Sequence, residues 1–146
     1  MKWIDMMQYI HIVQLVAFIM LLTYAAIIDL RTRTIPDHIL LLIIFIGLID
    51  LEPILAVSGL MLVPLPYFIM ALLKENSIGG GDIKLMGACG FFLGLQTGYV
   101  ASILGLLFAI TVHFAFRAFG SKNTNKNIPL APYLGLGCLI AYFVVK

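Results

Sequence analysis

Two aspartates stand out in an almost wholly apolar chain, because each lies at the edge of a hydrophobic segment. Asp29 follows Ile28, and Asp82 ends the run Gly79-Gly80-Gly81-Asp82. An ionisable side chain next to a membrane segment is costly to keep and therefore usually functional. If the two carboxyl groups meet in the folded chain, they share a proton. One can then take a proton from water while the other donates one to a substrate carbonyl, as in an aspartic protease.

The helix ends make the two carboxyl groups unequal. Asp29 lies near the C-terminus of one expected helix, where the helix dipole disfavours negative charge, and Asp82 lies near the N-terminus of another, where it favours it. We therefore expect Asp82 to be mainly ionised and Asp29 mainly protonated. The glycines before Asp82 leave room for an extended strand beside the carboxylate. Taken alone, the glycine run is equally compatible with a plain flexible loop.

The composition is that of an integral membrane protein. Of the 146 residues, 62% are hydrophobic and 11% are charged, whereas soluble domains have roughly 45–50% and 25%. The net charge is +2 and the basic residues are scattered, so the basic stripe of a nucleic-acid-binding protein is missing. Cys89 and Cys138 have no CxxC spacing, and we expect both to be buried small hydrophobes rather than metal ligands or a disulfide.

Six apolar segments follow one another along the chain. The second and fourth are shorter than the roughly 17–25 residues of a membrane-spanning helix, and the other four reach that length. The short segments therefore either lie tilted and protected within the bundle or re-enter from one side. We predict an all-α integral membrane protein, a bundle of six transmembrane helices built as one domain over residues 1–146. The segments are 8–28, 38–49, 53–73, 83–95, 97–117 and 128–145.

The charges between these segments alternate along the chain. Basic residues such as Arg31, Lys74 and Lys122 fall in the first, third and fifth connections, and the turns between them are acidic or uncharged. Cytoplasmic loops are enriched in Lys and Arg. We therefore expect a multi-pass protein of the inner (plasma) membrane with both termini outside. In that topology Asp29 and Asp82 both face the cytoplasm.

Two charged residues near the aspartates, Asp37 and Lys84, are expected to have structural rather than catalytic roles. Asp37 stands at the start of the second segment, where we expect it to cap the helix N-terminus. Lys84 follows Asp82 by two residues, so a helix turns it away from that carboxylate. We expect Lys84 to anchor the chain at the membrane interface rather than to pair with Asp82.

Prolines and glycines mark special points of the middle segments. Pro64 and Pro66 fall inside the third segment, where neighbouring helices can compensate for a kink. Gly87, Gly90 and Gly94 lie in the fourth segment, where small residues allow another helix to approach closely.

Three stretches resemble the motifs of the type IV prepilin peptidases and occur in that family's order. Residues 29–37 resemble the first catalytic segment, an aspartate followed at a fixed distance by Ile-Pro. Residues 79–85 resemble the GxGD segment, and residues 128–137 resemble the motif of the last helix. Besides the aspartates, the motif residues that we expect near the substrate are Ile35, Pro36, Gly79, Gly80, Gly81, Pro129 and Pro132.

The resemblance implies a GxGD-type aspartic endopeptidase of the membrane in which Asp29 and Asp82 activate water. Family members remove the short basic leader peptide from prepilin-like proteins at the cytoplasmic face. The implied partners are prepilin or pseudopilin precursors and the lipid bilayer, with no cofactor. Longer members carry an insert with two CxxC pairs and also N-methylate the pilin. This sequence has neither, so it resembles the short, peptidase-only form that serves Flp/Tad pili, competence pseudopili or similar systems.

Other functions remain open on the sequence alone. A carboxylate-relay transporter of protons or ions would also pair acidic residues, although these usually lie near the middle of the membrane rather than at segment ends. A non-catalytic membrane subunit of a pilus-assembly machine would share the fold but would not explain both aspartates. Presenilin-like GxGD proteases fit poorly, because Ile28 rather than Tyr precedes Asp29.

Overall fold

The computed structural model describes residues 2–49, 52–73, 78–118 and 129–145, and within these ranges every regular element is a helix. The all-α prediction is therefore confirmed for the described chain. Much of the third and fifth connections, including Lys74 and Lys122, lies outside the described residues. The helices are α1 Lys2–Thr32, α2 Asp37–Gly47, α3 Pro53–Leu62, α4 Leu65–Leu73, α5 Gly80–Leu93, α6 Leu95–Ala118 and α7 Ala131–Val145.

Three stretches are long and apolar enough to cross a membrane, namely Met6–Thr32, Pro53–Leu73 and Leu95–Ala115. The second of these contains both α3 and α4, which meet at the expected kink beside Pro64. Proline cannot donate the backbone hydrogen bond that would continue the helix. The chain is thus a membrane protein, with the remaining apolar segments forming shorter helices.

The last helix is shorter than the sequence indicates. Residues 128–145 reach the length of a span, whereas α7 begins only at Ala131 and has 15 residues. Pro132 explains the late start, because it has no N–H to donate to residue 128 and is best tolerated in the first turn of a helix. The prediction of four full-length segments is therefore wrong for the sixth.

The short helix α5 lies at the centre of the bundle. It packs against α2, α3, α4, α6 and α7, and its buried residues lie all round the helix. A helix that is buried on every side lies in a protein core or spans a membrane. The protection expected for the short fourth segment is thus present, and whether the segment crosses the membrane or re-enters stays a prediction. Asp82 lies at the start of this enclosed helix.

Glycines set the spacing of α5 and its neighbour α3. A Cβ atom on either Gly59 of α3 or Gly90 of α5 would collide with the backbone carbonyl of the other glycine. Such close contact permits weak Cα–H···O bonds and tight van der Waals packing. The close approach expected at Gly90 is confirmed. At Gly87 it is looser, because the nearest atom to an added Cβ is the Leu60 carbonyl oxygen at 3.5 Å.

A Cβ atom on Gly59 of α3 would lie 3.1 Å from the Gly94 carbonyl carbon, so the close approach expected at Gly94 is present. Gly94 also ends α5. Its φ of 80° and ψ of 176° fall in a region that is essentially restricted to glycine. We expect Gly94→Ala to lower the free energy of unfolding by about 1–3 kcal/mol, measured by denaturant titration in mixed micelles. Gly135→Ala is the control, since the nearest atom to its added Cβ lies 3.9 Å away. Equal stability of the two variants would contradict this role.

Candidate active site

Asp29 lies in the last turn of α1 and is only 5% exposed. Its Oδ2 atom accepts a hydrogen bond of 3.1 Å from the backbone N–H of Ala131, the first residue of α7. The positive charge of Arg33, just beyond the end of α1, also acts on this carboxyl group. Asp29 is therefore held by the start of a helix that is remote in sequence.

Asp82 lies in the first turn of α5 and is 9% exposed. Its Oδ1 atom is buried and has no hydrogen-bond partner within the described part of the chain. A Cβ atom on Gly79 would lie 3.2 Å from its Oδ2 atom, so that oxygen faces the glycine run. The negative charge of Asp29 acts on the Asp82 carboxyl group. The fold thus places the two aspartates that the sequence singles out within electrostatic range of each other.

The turn after Asp29 leads directly into the Ile-Pro motif. Arg33 adopts a left-handed conformation with φ of 56°, and its N–H donates to the Asp29 carbonyl at 2.9 Å. This is an αL termination of the helix. The hydroxyl of Thr32 donates to the Thr34 carbonyl at 3.2 Å. These bonds end α1 sharply and turn Ile35 into the core, where it is 8% exposed.

The Ile-Pro and GxGD motifs contact each other. A Cβ atom on Gly81 would lie 3.3 Å from the Ile35 Cβ and 3.4 Å from its backbone nitrogen, whereas one on Gly80 would meet nothing within 4 Å. A Cβ on Gly79 would crowd the Asp82 carboxylate, as described above. There is therefore little room for a side chain at Gly79 or Gly81, whereas a side chain at Gly80 would meet no neighbouring atom.

This difference predicts opposite outcomes for two adjacent alanine substitutions. We expect Gly81→Ala to reduce the catalytic rate of the protein about 10- to 100-fold, because the shift of Ile35 or of α5 moves Asp82 relative to Asp29. Gly80→Ala is the matched control and should stay within about twofold, since it adds a methyl group to open space at a helix start. Rates are compared at equal amounts of folded protein. Equal loss in both variants would contradict the packing argument.

Asp37 and Lys84 form an ion pair that joins α2 to α5. Lys84 Nζ lies 2.8 Å from Asp37 Oδ1, a partner that the sequence did not indicate. The expected capping role of Asp37 is wrong, because the capping position of α2 is Pro36 and no side chain fills that role. Both side chains are exposed, so the pair contributes about 0–1 kcal/mol and serves mainly to align the two helix starts.

The motif at residues 128–137 contacts Asp29 through a backbone group rather than a side chain. Pro132 is the second residue of α7 and Pro129 precedes the helix, and neither has a backbone N–H to donate. The group that contacts Asp29 is the N–H of Ala131 between them. Sequence reasoning missed this residue. The available signal was the pair of prolines, which marks the start of a helix and hence a set of unpaired N–H groups.

Cys89 of α5 and Cys138 of α7 are fully buried free thiols, as expected for small hydrophobes. Among the residues that the structure describes, no three His, Cys, Asp or Glu side chains converge in a way that could hold a metal ion.

Comparison with known proteins identifies a family and three named relatives. A model of the type IV leader peptidase family matches residues 16–116, a range that includes both aspartates. Three relatives carry the name prepilin leader peptidase/N-methyltransferase. The Bacillus subtilis protein is 27% identical over 87% of this chain and 54% of its own. The Pectobacterium carotovorum protein is 29% identical over 84% of this chain and 47% of its own length. The Escherichia coli protein is 30% identical over 79% of this chain and 56% of its own length.

The matches cover most of this chain but only part of its relatives. The chain spans about half the length of each of these curated relatives. No solved structure matches it significantly. The family model covers well over half of the chain and includes the segments that carry Asp29, Ile35-Pro36 and the GxGD run. The chain therefore belongs to the type IV leader peptidase family.

Proposed function

We propose that this chain is a membrane aspartic endopeptidase that removes the cytoplasmic leader peptide from type IV prepilin-like precursors. The observation that carries the proposal is the pairing of two buried carboxyl groups, Asp29 from α1 and Asp82 from α5. The chain's family membership narrows the substrate from peptides in general to prepilin-like proteins. Flp/Tad pilins, pseudopilins and competence pilins are the substrate types that we propose.

The geometry suits hydrolysis by activated water. Two adjacent carboxyl groups in a water-poor site hold one proton between them, so a base and an acid are present together. Gly79 and Gly80 are exposed beside Asp82, and an added Cβ at Gly80 meets nothing. An extended substrate backbone can therefore approach the carboxyl pair along the glycine run.

The charges near the pair support a cytoplasmic site. Arg31 and Arg33 are exposed at the end of α1, and Lys84 is exposed at the start of α5. These basic residues lie at the same end of the bundle as the two aspartates. By the positive-inside rule that end faces the cytoplasm, and we propose the inner (plasma) membrane as the location, with both termini outside.

Reconstitution tests the proposal directly. The full chain is placed in liposomes with a prepilin-like protein from the same genome, and the products are identified by mass spectrometry. We expect one cut, immediately before the substrate's hydrophobic helix, and no cut when Asp82→Asn replaces the wild type. Failure to cleave any prepilin-like protein of that genome, together with proton flux across the liposomes, would reject the peptidase in favour of a carboxylate-relay transporter.

A further inference from the structure

The two carboxyl groups of the site have unequal surroundings. Asp29 Oδ2 accepts a hydrogen bond of 3.1 Å from the Ala131 N–H. N–H groups in the first turn of a helix have no partner in their own helix, and the start of a helix carries a partial positive charge. Both residues are buried. A hydrogen bond from such a group to a carboxylate is strong in these surroundings.

The charged groups near the two aspartates also favour an ionised Asp29 and a protonated Asp82. Arg33 acts on Asp29 as a positive charge. Asp82 receives a backbone hydrogen bond from Gly79 at the start of α5, but burial and the negative charge of Asp29 act on it more strongly and in the opposite direction. The nearby cation Lys84 is paired with Asp37 instead. Asp82 Oδ1 is buried without a donor in the described residues. An ionised oxygen in that position bears its full desolvation cost, whereas a protonated one does not.

We propose that the backbone N–H of Ala131 is a positioning group that keeps Asp29 ionised and leaves the shared proton on Asp82. Asp29 then acts as the base and Asp82 as the acid. This assignment rests on the proposed function, and it reverses the one expected from the sequence. The dipoles of α1 and α5 alone favour a charge on Asp82, whereas the N-terminus of α7 lies against Asp29.

The assignment gives a balanced reaction. Asp29 takes a proton from water while the water oxygen bonds to the scissile carbonyl carbon, and Asp82 gives its proton to the carbonyl oxygen. The C–N bond of the resulting diol then breaks. The leaving nitrogen takes the proton held by Asp29, and Asp82 recovers a proton from a hydroxyl of the diol. Both carboxyl groups return to their starting states.

Infrared spectroscopy tests the assignment without any substrate. A protonated carboxyl group has a C=O stretching band that an ionised one lacks, and the full chain can be measured at neutral pH in micelles of an alkyl glycoside detergent, which has no ester carbonyl to mask the band. We expect the band in the wild type, its retention in Asp29→Asn and its loss in Asp82→Asn. A band that persists in Asp82→Asn would show that Asp29 carries the proton and would overturn the proposal.

The role of Ala131 is tested in the Asp82→Asn background. Ala131→Pro removes the N–H at a helix position where proline is tolerated, and we expect the carboxyl band to return because Asp29 has lost its donor. Ala131→Gly keeps the N–H and removes only the methyl group, so the band should stay absent. If the proline variant does not fold, lactic acid incorporated at position 131 replaces the N–H with an ester oxygen of nearly the same shape.

The outcomes separate this proposal from the proposed function. Return of the band when the N–H is removed supports it, and continued absence in the folded proline or ester variant overturns the role of Ala131. Neither result depends on a prepilin being cut. Conversely, if the wild type cleaves prepilin while the Asp82→Asn variant still shows the carboxyl band, the protein is a peptidase in which Asp29, rather than Asp82, carries the proton.

Discussion

Replacing either aspartate with asparagine is expected to reduce leader cleavage about 10²- to 10⁴-fold, the range associated with one general acid or base. Asparagine keeps the size of Asp29 or Asp82 but can neither take nor give the proton. The measurement is the single-turnover rate of prepilin cleavage in liposomes, which separates chemistry from substrate binding and product release. Substrate binding should change little, because the leader segment still fits the site.

A double variant shows whether the two groups act as one unit. Residues that share one step have strongly non-additive effects, so Asp29→Asn combined with Asp82→Asn should be no slower than the slower single variant. Asp37→Asn is the matched control, since Asp37 is an exposed acid near the site whose contact is Lys84. It should cleave within a few-fold of the wild type. Near-normal cleavage by either single active-site variant would reject the pair.

Introducing a methyl group between α3 and α5 is expected to be the most damaging change to stability. In Gly90→Ala the new Cβ would collide with the Gly59 carbonyl and lie 3.0 Å from the Val63 Cβ. These neighbours are backbone and a fully buried side chain, so neither can move away cheaply. We expect a loss of about 2–3 kcal/mol in the free energy of unfolding, as for other overpacked interiors.

Gly87→Ala is the control for this substitution. It lies one turn earlier on the same helix, and its added Cβ would have its nearest neighbours at 3.5 Å or beyond, an ordinary contact. Its stability should therefore match or slightly exceed that of the wild type, because alanine is the better helix former. Unfolding in mixed micelles gives both values. A Gly87→Ala variant as unstable as Gly90→Ala would mean that helix propensity or lipid contact, rather than α3–α5 spacing, limits stability.

The structural features that the sequence predicted correctly depend on residues that are close together in the chain. The apolar segments follow from hydropathy, and the break between α3 and α4 follows from Pro64. The pairing of the aspartates followed from acid–base chemistry and from the resemblance of the flanking residues to known motifs. It did not follow from any distance along the chain.

The features that sequence missed involve two helices at once. A glycine in an apolar helix does not reveal which helix it approaches, so the contact of Gly90 with Gly59 had no signal. The Lys84–Asp37 ion pair joins residues 47 positions apart, and only the packing of α2 against α5 brings them together. The donor to Asp29 is a backbone N–H, and every residue except proline has one. Its significance comes from its place at the start of α7.

That hydrogen bond has a consequence for how the protein is made. It joins residues 102 positions apart, with Asp29 in the first helix and Ala131 at the start of the last. Ribosomes deliver the chain from its N-terminus, and early segments fold before later ones exist. Asp29 therefore enters the membrane long before the amide that holds it has been synthesised. The newly made chain gains this hydrogen bond only after α7 has been made, so a molecule without α7 lacks the donor to Asp29.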